Sequence, residues 1–181
     1  MSNARSLPFR ARFAPSSPEA SILGTPRGLE WQGLWCDCHS ARAAAAIRGG
    51  NVIIHGDAAA RLGVSVKGGL VLVAGACGYM AGFMGQKGTL IVCGDTGEAF
   101  ADSMYATTCF VGGRIAELGT DAVASKPTAD EAAFLDATLE RYLSPVERKS
   151  KPAGLDFQKV VAGRKLWNFD KREWKIWQEA L

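Results

Sequence analysis

Apolar positions in the middle of the chain fall into ladders that share one period. With Gly50, Gly69, Gly88 and Thr107 aligned, the position two residues on reads Val52, Val71, Leu90, Cys109. The next alternate position reads Ile54, Val73, Val92, Val111, and Gly56, Gly75, Gly94, Gly113 close the series. A further ladder, half a repeat later, is Gly63, Gly82, Ala101. Each step is 19 residues, the difference between positions 50 and 69, 69 and 88, and 88 and 107. A short fixed period with alternating apolar positions and phased glycines predicts a mainly β, stacked parallel β-solenoid over residues 49–125.

Each turn is expected to carry a strand, at 51–55, 70–74, 89–93 and 108–112, with a second short extended piece near 64–66 and 83–85. Alternate side chains of a strand point to opposite faces. The inner set is apolar, but so is the outer set Ile53, Leu72, Ile91, Phe110. Strands apolar on both faces are covered on both faces. The outer face therefore needs a cover, either a flanking segment of this chain or a partner. Four stacked turns are only about 15–20 Å tall, and their open ends need caps. Residues 1–48, which hold Pro8, Pro15, Pro18 and Pro26, are expected to be an N-terminal arm or cap. Extending the register back into them places Trp31 at the first glycine position and Asp37 at the last.

After residue 125 the period changes. Thr128 and Glu131 form a capping-box pattern, followed by the apolar stripe Ala132, Leu135, Leu139, Tyr142, Leu143, so a helix is expected over 128–143, stopped by Pro145. Residues 147–152 read as an exposed linker. The segment 153–181 interleaves Lys159, Arg164, Lys165, Lys171, Arg172 and Lys175 with Phe157, Trp167, Phe169, Trp174 and Trp177. Together, 126–181 are expected to be a C-terminal helix and a basic, aromatic docking tail, with the Trp side chains as anchors.

Composition narrows the class of function. The formal net charge of +3 in 181 residues is too small to argue for nucleic acid, and Asp156, Asp170, Glu173 and Glu179 dilute the tail's charge. No 18-residue apolar stretch predicts a membrane span, and the N-terminus lacks an apolar signal core. Of the 21 glycines, 16 lie from Gly49 to Gly119 inclusive, which places repeated turns or close backbone approaches there. The odd count of five cysteines (Cys36, Cys38, Cys77, Cys93, Cys109) points to reduced thiols and a cytoplasmic protein.

Candidate chemistry is sparse. His55 stands where later repeats carry Ala74, Cys93 and Gly112, so it is not a repeated ligand. Cys36, Cys38 and His39 resemble part of a metal cluster, but no second cluster supplies the remaining ligand at a usual spacing. A free-standing metal hydrolase built on these three is the weakest reading. The stretch 78–85 lacks the Gly-Lys-Ser/Thr ending of a phosphate loop and recurs with the repeat, so it reads as a corner of the coil. Asp57 and Asp95 follow turn glycines, as turn chemistry expects. No nucleophile and base are paired. The corner residues Tyr79, Met80, Phe83 and Met84, like Trp167, Phe169, Trp174 and Trp177, are therefore expected at an interface rather than in catalysis.

The repeated Gly-Gly-x-apolar-x-apolar-x-Gly turns resemble the GXGXG domain that closes the large subunit of glutamate synthase. The run 83–99, which includes Gly94, Asp95, Thr96, Gly97, Glu98 and Ala99, is similar to the stand-alone GXGXG subunit of N-methylglutamate synthase and its relatives. The similarity continues through Asp102, Ser103, Met104 and Tyr105 to 111–121. It implies a right-handed β-helix without catalytic residues or a cofactor of its own. It also implies a hetero-oligomer in which this chain bridges an FMN-containing glutamate synthase-like subunit and a class II glutamine amidotransferase-like subunit. The runner-up is the GXGXG subunit of a formylmethanofuran dehydrogenase or formyltransferase/hydrolase-type complex, whose repeats are expected to be more regular.

Overall fold

The computed structural model describes residues 43–163. Strands β1 (Asn51–Ile54), β2 (Leu70–Val73), β3 (Lys87–Val92) and β4 (Ala106–Val111) are followed by β5 (Ala122–Ser125). Helices α1 (Ala129–Tyr142) and α2 (Pro145–Lys149), a 3-10 turn (Gly154–Asp156) and β6 (Gln158–Ala162) complete the order. β1 to β4 pair in parallel, with Asn51 opposite Leu70, Leu70 opposite Thr89 and Thr89 opposite Thr108. The 19-residue period and the four strands are those the ladders predict, but the described residues complete three turns between them rather than four. Single parallel bridges link Ala58, Cys77, Thr96 and Ile115 on a second side of the coil, again 19 residues apart.

The third side is not the extended segment that the sequence suggests at 64–66 and 83–85. It is a run of turns in which every second residue is left-handed: Arg61, Gly63 and Ser65 in one coil, and Met80, Gly82 and Met84 in the next. Their amides alternate in direction. Arg61 and Ser65 donate to Tyr79 O and Phe83 O of the following coil, both at 2.8 Å, whereas Gly63 donates to Ala43 O of the preceding coil at 2.8 Å. Met80 and Met84 likewise donate forward, and Gly82 donates back to Leu62 O. The backbone is satisfied by its neighbours above and below without forming a strand.

The phased glycines have two separate causes. At Gly69 φ is +85°, and a Cβ would stand 2.3 Å from Gly50 O. At Gly94 the backbone is ordinary, but a Cβ would meet Gly75 O at 2.8 Å. Stacked turns leave no room for a side chain at Gly69 or Gly94.

Two apolar clusters lie on the two faces of β1 to β4. Inside the coil, Ile54, Leu62, Val71, Val73, Leu90, Val92, Phe100, Cys109 and Val111 are buried together. Outside it, Ile53, Leu72, Ile91 and Phe110 pack with Leu135, Leu139, Leu143 and Phe157. The cover required by the outer apolar set is therefore this chain's own α1, with Phe157 beside it. Removing a Leu, Ile or Phe side chain from water stabilises by about 1.5–3 kcal/mol each, which fixes the helix on the sheet. The capping box at Thr128 and Glu131 starts α1, and Asn51 Nδ2 donates to Tyr142 Oη at 2.8 Å near its end.

Beyond α1 the chain departs from expectation. Pro145 stops α1 but also occupies the first turn of α2, where its missing N–H costs nothing. The 147–152 segment is thus not an exposed linker. Arg148 binds Asp136 at 2.7 Å and the carbonyl of Pro152 at 3.0 Å. The first part of the expected tail, 153–163, belongs to the fold. Phe157 is fully buried, and β6 pairs antiparallel with β4, so that Cys109 faces Val160. β5 then pairs antiparallel with β6, giving the sheet order β1-β2-β3-β4-β6-β5. An antiparallel hairpin-like cap ends the parallel stack, and its outermost strand is short with mostly exposed side chains, a form that blunts an edge. Among the described residues, no helix is long and apolar enough to cross a membrane.

Candidate functional site

The corner residues expected at an interface come together. Tyr79, Met80, Phe83 and Met84 lie on the left-handed side of the second coil, with Met80 at φ 57° and Met84 at φ 51°. Tyr79 is 45 % exposed, and the other three are half-buried. Left-handed backbone is disfavoured for long side chains by about 1–2 kcal/mol each. It is held here by hydrogen bonds from the amides of Met80 to Glu98 O (2.9 Å) and of Met84 to Asp102 O (3.0 Å). Trp167, Phe169, Trp174 and Trp177 lie outside the described residues, as do Cys36, Cys38 and His39.

Beside Tyr79 runs an open groove of about 440 Å³ that crosses successive coils, with Asp95, Glu98 and Arg114 along it. One of its carboxylates, Asp95, has structural work. Asp95 Oδ1 accepts from Arg114 N at 2.7 Å, as Asp57 Oδ1 does from Ala76 N at 2.7 Å. Each Asp that follows a turn glycine thus ties its own coil to the next, one repeat on. Thr96 contributes to the groove wall, but it belongs to the rung of Cys77 and Ile115, which faces the core.

The three described cysteines are poor nucleophiles. Burial pushes the Cys77 thiol up to about 12, against a smaller opposing effect of a backbone hydrogen bond from Gly97. Burial likewise pushes Cys93 up to about 11, despite Lys151 and Arg148 nearby. Cys109, fully buried, is also raised by burial, and its Sγ donates to Met104 Sδ at 3.6 Å. A thiol held protonated at neutral pH neither attacks carbon nor binds metal readily. Among the described residues, no three His, Cys, Asp or Glu side chains converge as metal ligands.

The polar contacts that sequence reading missed surround α1 and α2. His55 Nδ1 meets Glu147 Oε1 at 3.0 Å, and Lys159 pairs with Glu131. Glu131 is held below the usual carboxylate range by the hydrogen bond from Lys159 and then by Thr128. For Glu147, burial acts to raise the pKa, but hydrogen bonds from Ser144 and His55 outweigh it and the net shift is down. The signal for α2 was present in the sequence: Ser144 and Glu147 repeat the spacing of Thr128 and Glu131 and make the same capping box. The partners of its side chains, 92 residues away for His55, carry no local signal.

The arrangement offers contact surfaces rather than a reacting centre: an aromatic and methionine corner, an open groove of mixed apolar and charged lining, and ion pairs that lock the helices down. No protein-family model, curated protein or solved structure matches the chain.

Proposed function

We propose that this chain is a non-catalytic structural subunit of a glutamate synthase-type complex, of the N-methylglutamate synthase kind. In this reading the coil is right-handed and the assembly is cytoplasmic. It bridges an FMN-containing barrel subunit and a class II glutamine amidotransferase-like subunit, and the flavin belongs to the barrel subunit. The observation that carries the reading is the corner of Tyr79, Met80, Phe83 and Met84. It presents a half-exposed aromatic and flexible apolar side chains on a backbone fixed by both neighbouring coils. Aromatic and Met side chains on a rigid frame suit a protein interface. Support also comes from the run 83–121, whose resemblance to the stand-alone GXGXG subunit lies on the coils that bear this corner. Trp167, Phe169, Trp174 and Trp177 are the second set of anchors.

Affinity purification from the native host at low salt, with mass spectrometry of the partners and an absorbance scan, tests the proposal. Co-purification of a glutaminase-like chain and a yellow, FMN-bearing chain is the expected result. Formyl-transfer subunits in their place would assign the same coil to the runner-up complex. Catalytic turnover by the isolated chain would overturn the non-catalytic role.

A further inference from the structure

Where the left-handed run of each coil leads into the next strand, the corner carries a cation. Arg48, Lys67 and Lys87 stand there, with Gln86 beside Lys87, and all four are exposed. The backbone stacks them coil upon coil. Lys67 N–H donates to Ile47 O at 2.7 Å, and the Gln86 and Lys87 amides share Val66 O at 2.7 and 3.2 Å. Val66 is buried inside the coil, and alternation turns Lys67 outward. Successive coils are about 4.8 Å apart, so Arg48 and Lys87 are about 10 Å apart along the coil axis. Each cation is followed by a glycine, at Gly49, Gly68 and Gly88, so the backbone beside it bears no side chain. A Cβ at Gly49 would meet nothing within 4 Å.

Like charges on neighbouring rungs repel, and here nothing answers them. Arg148 and Lys159, elsewhere in the fold, are bound to Asp136 and Glu131. Arg48, Lys67 and Lys87 make no ion pair among the described residues. An anion laid along the column removes the repulsion, and the geometry selects among anions. Single-stranded nucleic acid is held by cations together with aromatic faces on which bases stack. The aromatic on the next rung, Tyr105, is half-buried and already makes a contact of its own. Recognition of anionic lipid takes about four to eight Lys or Arg side chains, more than this edge has. An extended peptide repeats one face every second residue, about 6.8 Å, so two carboxylates of an alternating acidic strand fit within the length of the column.

We infer that this cationic edge is a docking site for an extended, carboxylate-rich segment of a partner protein, laid along the coil axis. Arg48 takes one carboxylate in a bidentate pair, and Lys67 and Lys87 bind the next as point charges. The site uses none of Tyr79, Met80, Phe83 or Met84, and the inference does not depend on the proposed complex.

The test is a titration of the isotopically labelled full chain with a short synthetic peptide of alternating Glu and Ser, followed by nuclear magnetic resonance at about 50 mM salt. The expected result is a saturable movement of the Gly49, Gly68 and Gly88 amide signals, reversed by about 0.5 M salt. Replacing the three cations together (Arg48→Gln, Lys67→Gln, Lys87→Gln) is expected to weaken binding at least about tenfold. Replacing two exposed cations off the column (Arg61→Gln, Arg114→Gln) is expected to leave it unchanged. Unaltered amide signals of Leu72 and Ile91 check that each variant is folded. Absence of a saturable shift, or equal affinity in the triple variant, would overturn the inference. So would tighter binding of an oligouridylate or of phosphatidylserine vesicles than of the peptide.

Discussion

At the level of single residues, the repeat imposes backbone conformations that the side chains do not favour. Arg61 is exposed and left-handed, at φ 60°, where its neighbour in the alternation is Gly63. Arg61→Gly is expected to raise stability by about 1 kcal/mol by removing that strain, read as a higher urea midpoint with an unchanged slope. Thr107 shows the reverse problem. It replaces the glycine of its ladder, is 1 % exposed, and its hydroxyl has no hydrogen-bond partner among the described residues. Thr107→Val keeps the shape and removes the orphan group. A gain of about 1 kcal/mol is expected in the same measurement, and a loss would show that the hydroxyl is satisfied in solution. The glycine ladders and the Val and Ile rungs were legible in the sequence. The left-handed corners were only half legible, because Arg61, Met80 and Met84 are not residues that announce such a backbone.

Between elements, the decisive contact is the one the sequence demanded without naming: the cover of the outer face. Ile53, Leu72, Ile91 and Phe110 showed that a cover exists, and the stripe of α1 was visible as a separate pattern. Nothing in either pattern says that one meets the other. Phe157 is the clearest case. As a member of a basic, aromatic stretch it read as part of an arm, whereas it is buried between α1 and the sheet. Phe157→Ala is expected to cost about 3–5 kcal/mol, measured by chemical unfolding. Truncation after Gly163 should leave the fold intact. Removal of 153–181 should not, because β6 and Phe157 leave with it; equal stability of the two truncated chains would contradict the role of β6 as the cap on β4. Only the shorter truncation isolates whatever Trp167, Phe169, Trp174 and Trp177 contribute to assembly.

At the scale of the whole molecule, the described residues form a three-turn coil clasped by the helices and β6 that follow it, and the clasp is partly ionic. Glu131 with Lys159, and Glu147 with Ser144 and His55, both hold carboxylates whose folded pKa is depressed. A depressed carboxylate contributes stability that is fully present above its unfolded value, near 4.3, and is lost as pH falls through the lower folded value. Stability set by these two groups is therefore expected to be level through neutral pH and to decline below about pH 4.5. Glu131→Gln should flatten that decline. Urea midpoints recorded from pH 7 down to pH 3 check both, and an acid limb unchanged in the variant would remove Glu131 from the account. Salt acts in the same direction on pairs that are only partly buried.

The sequence by itself determined the coil: its period, its strands, its inner rungs and the places where no side chain fits. These follow from contacts between a residue and its equivalent one turn away, so every repeat restates the rule. The sequence also determined the start of α1, because a capping box is a local device. Only the tertiary structure decided which segment covers the outer face, where β6 ends the stack, and which charges pair across the helices. Those contacts are made once, between segments far apart in the chain. A pattern that occurs once leaves no period to read, and the choice among apolar partners is settled by packing in three dimensions.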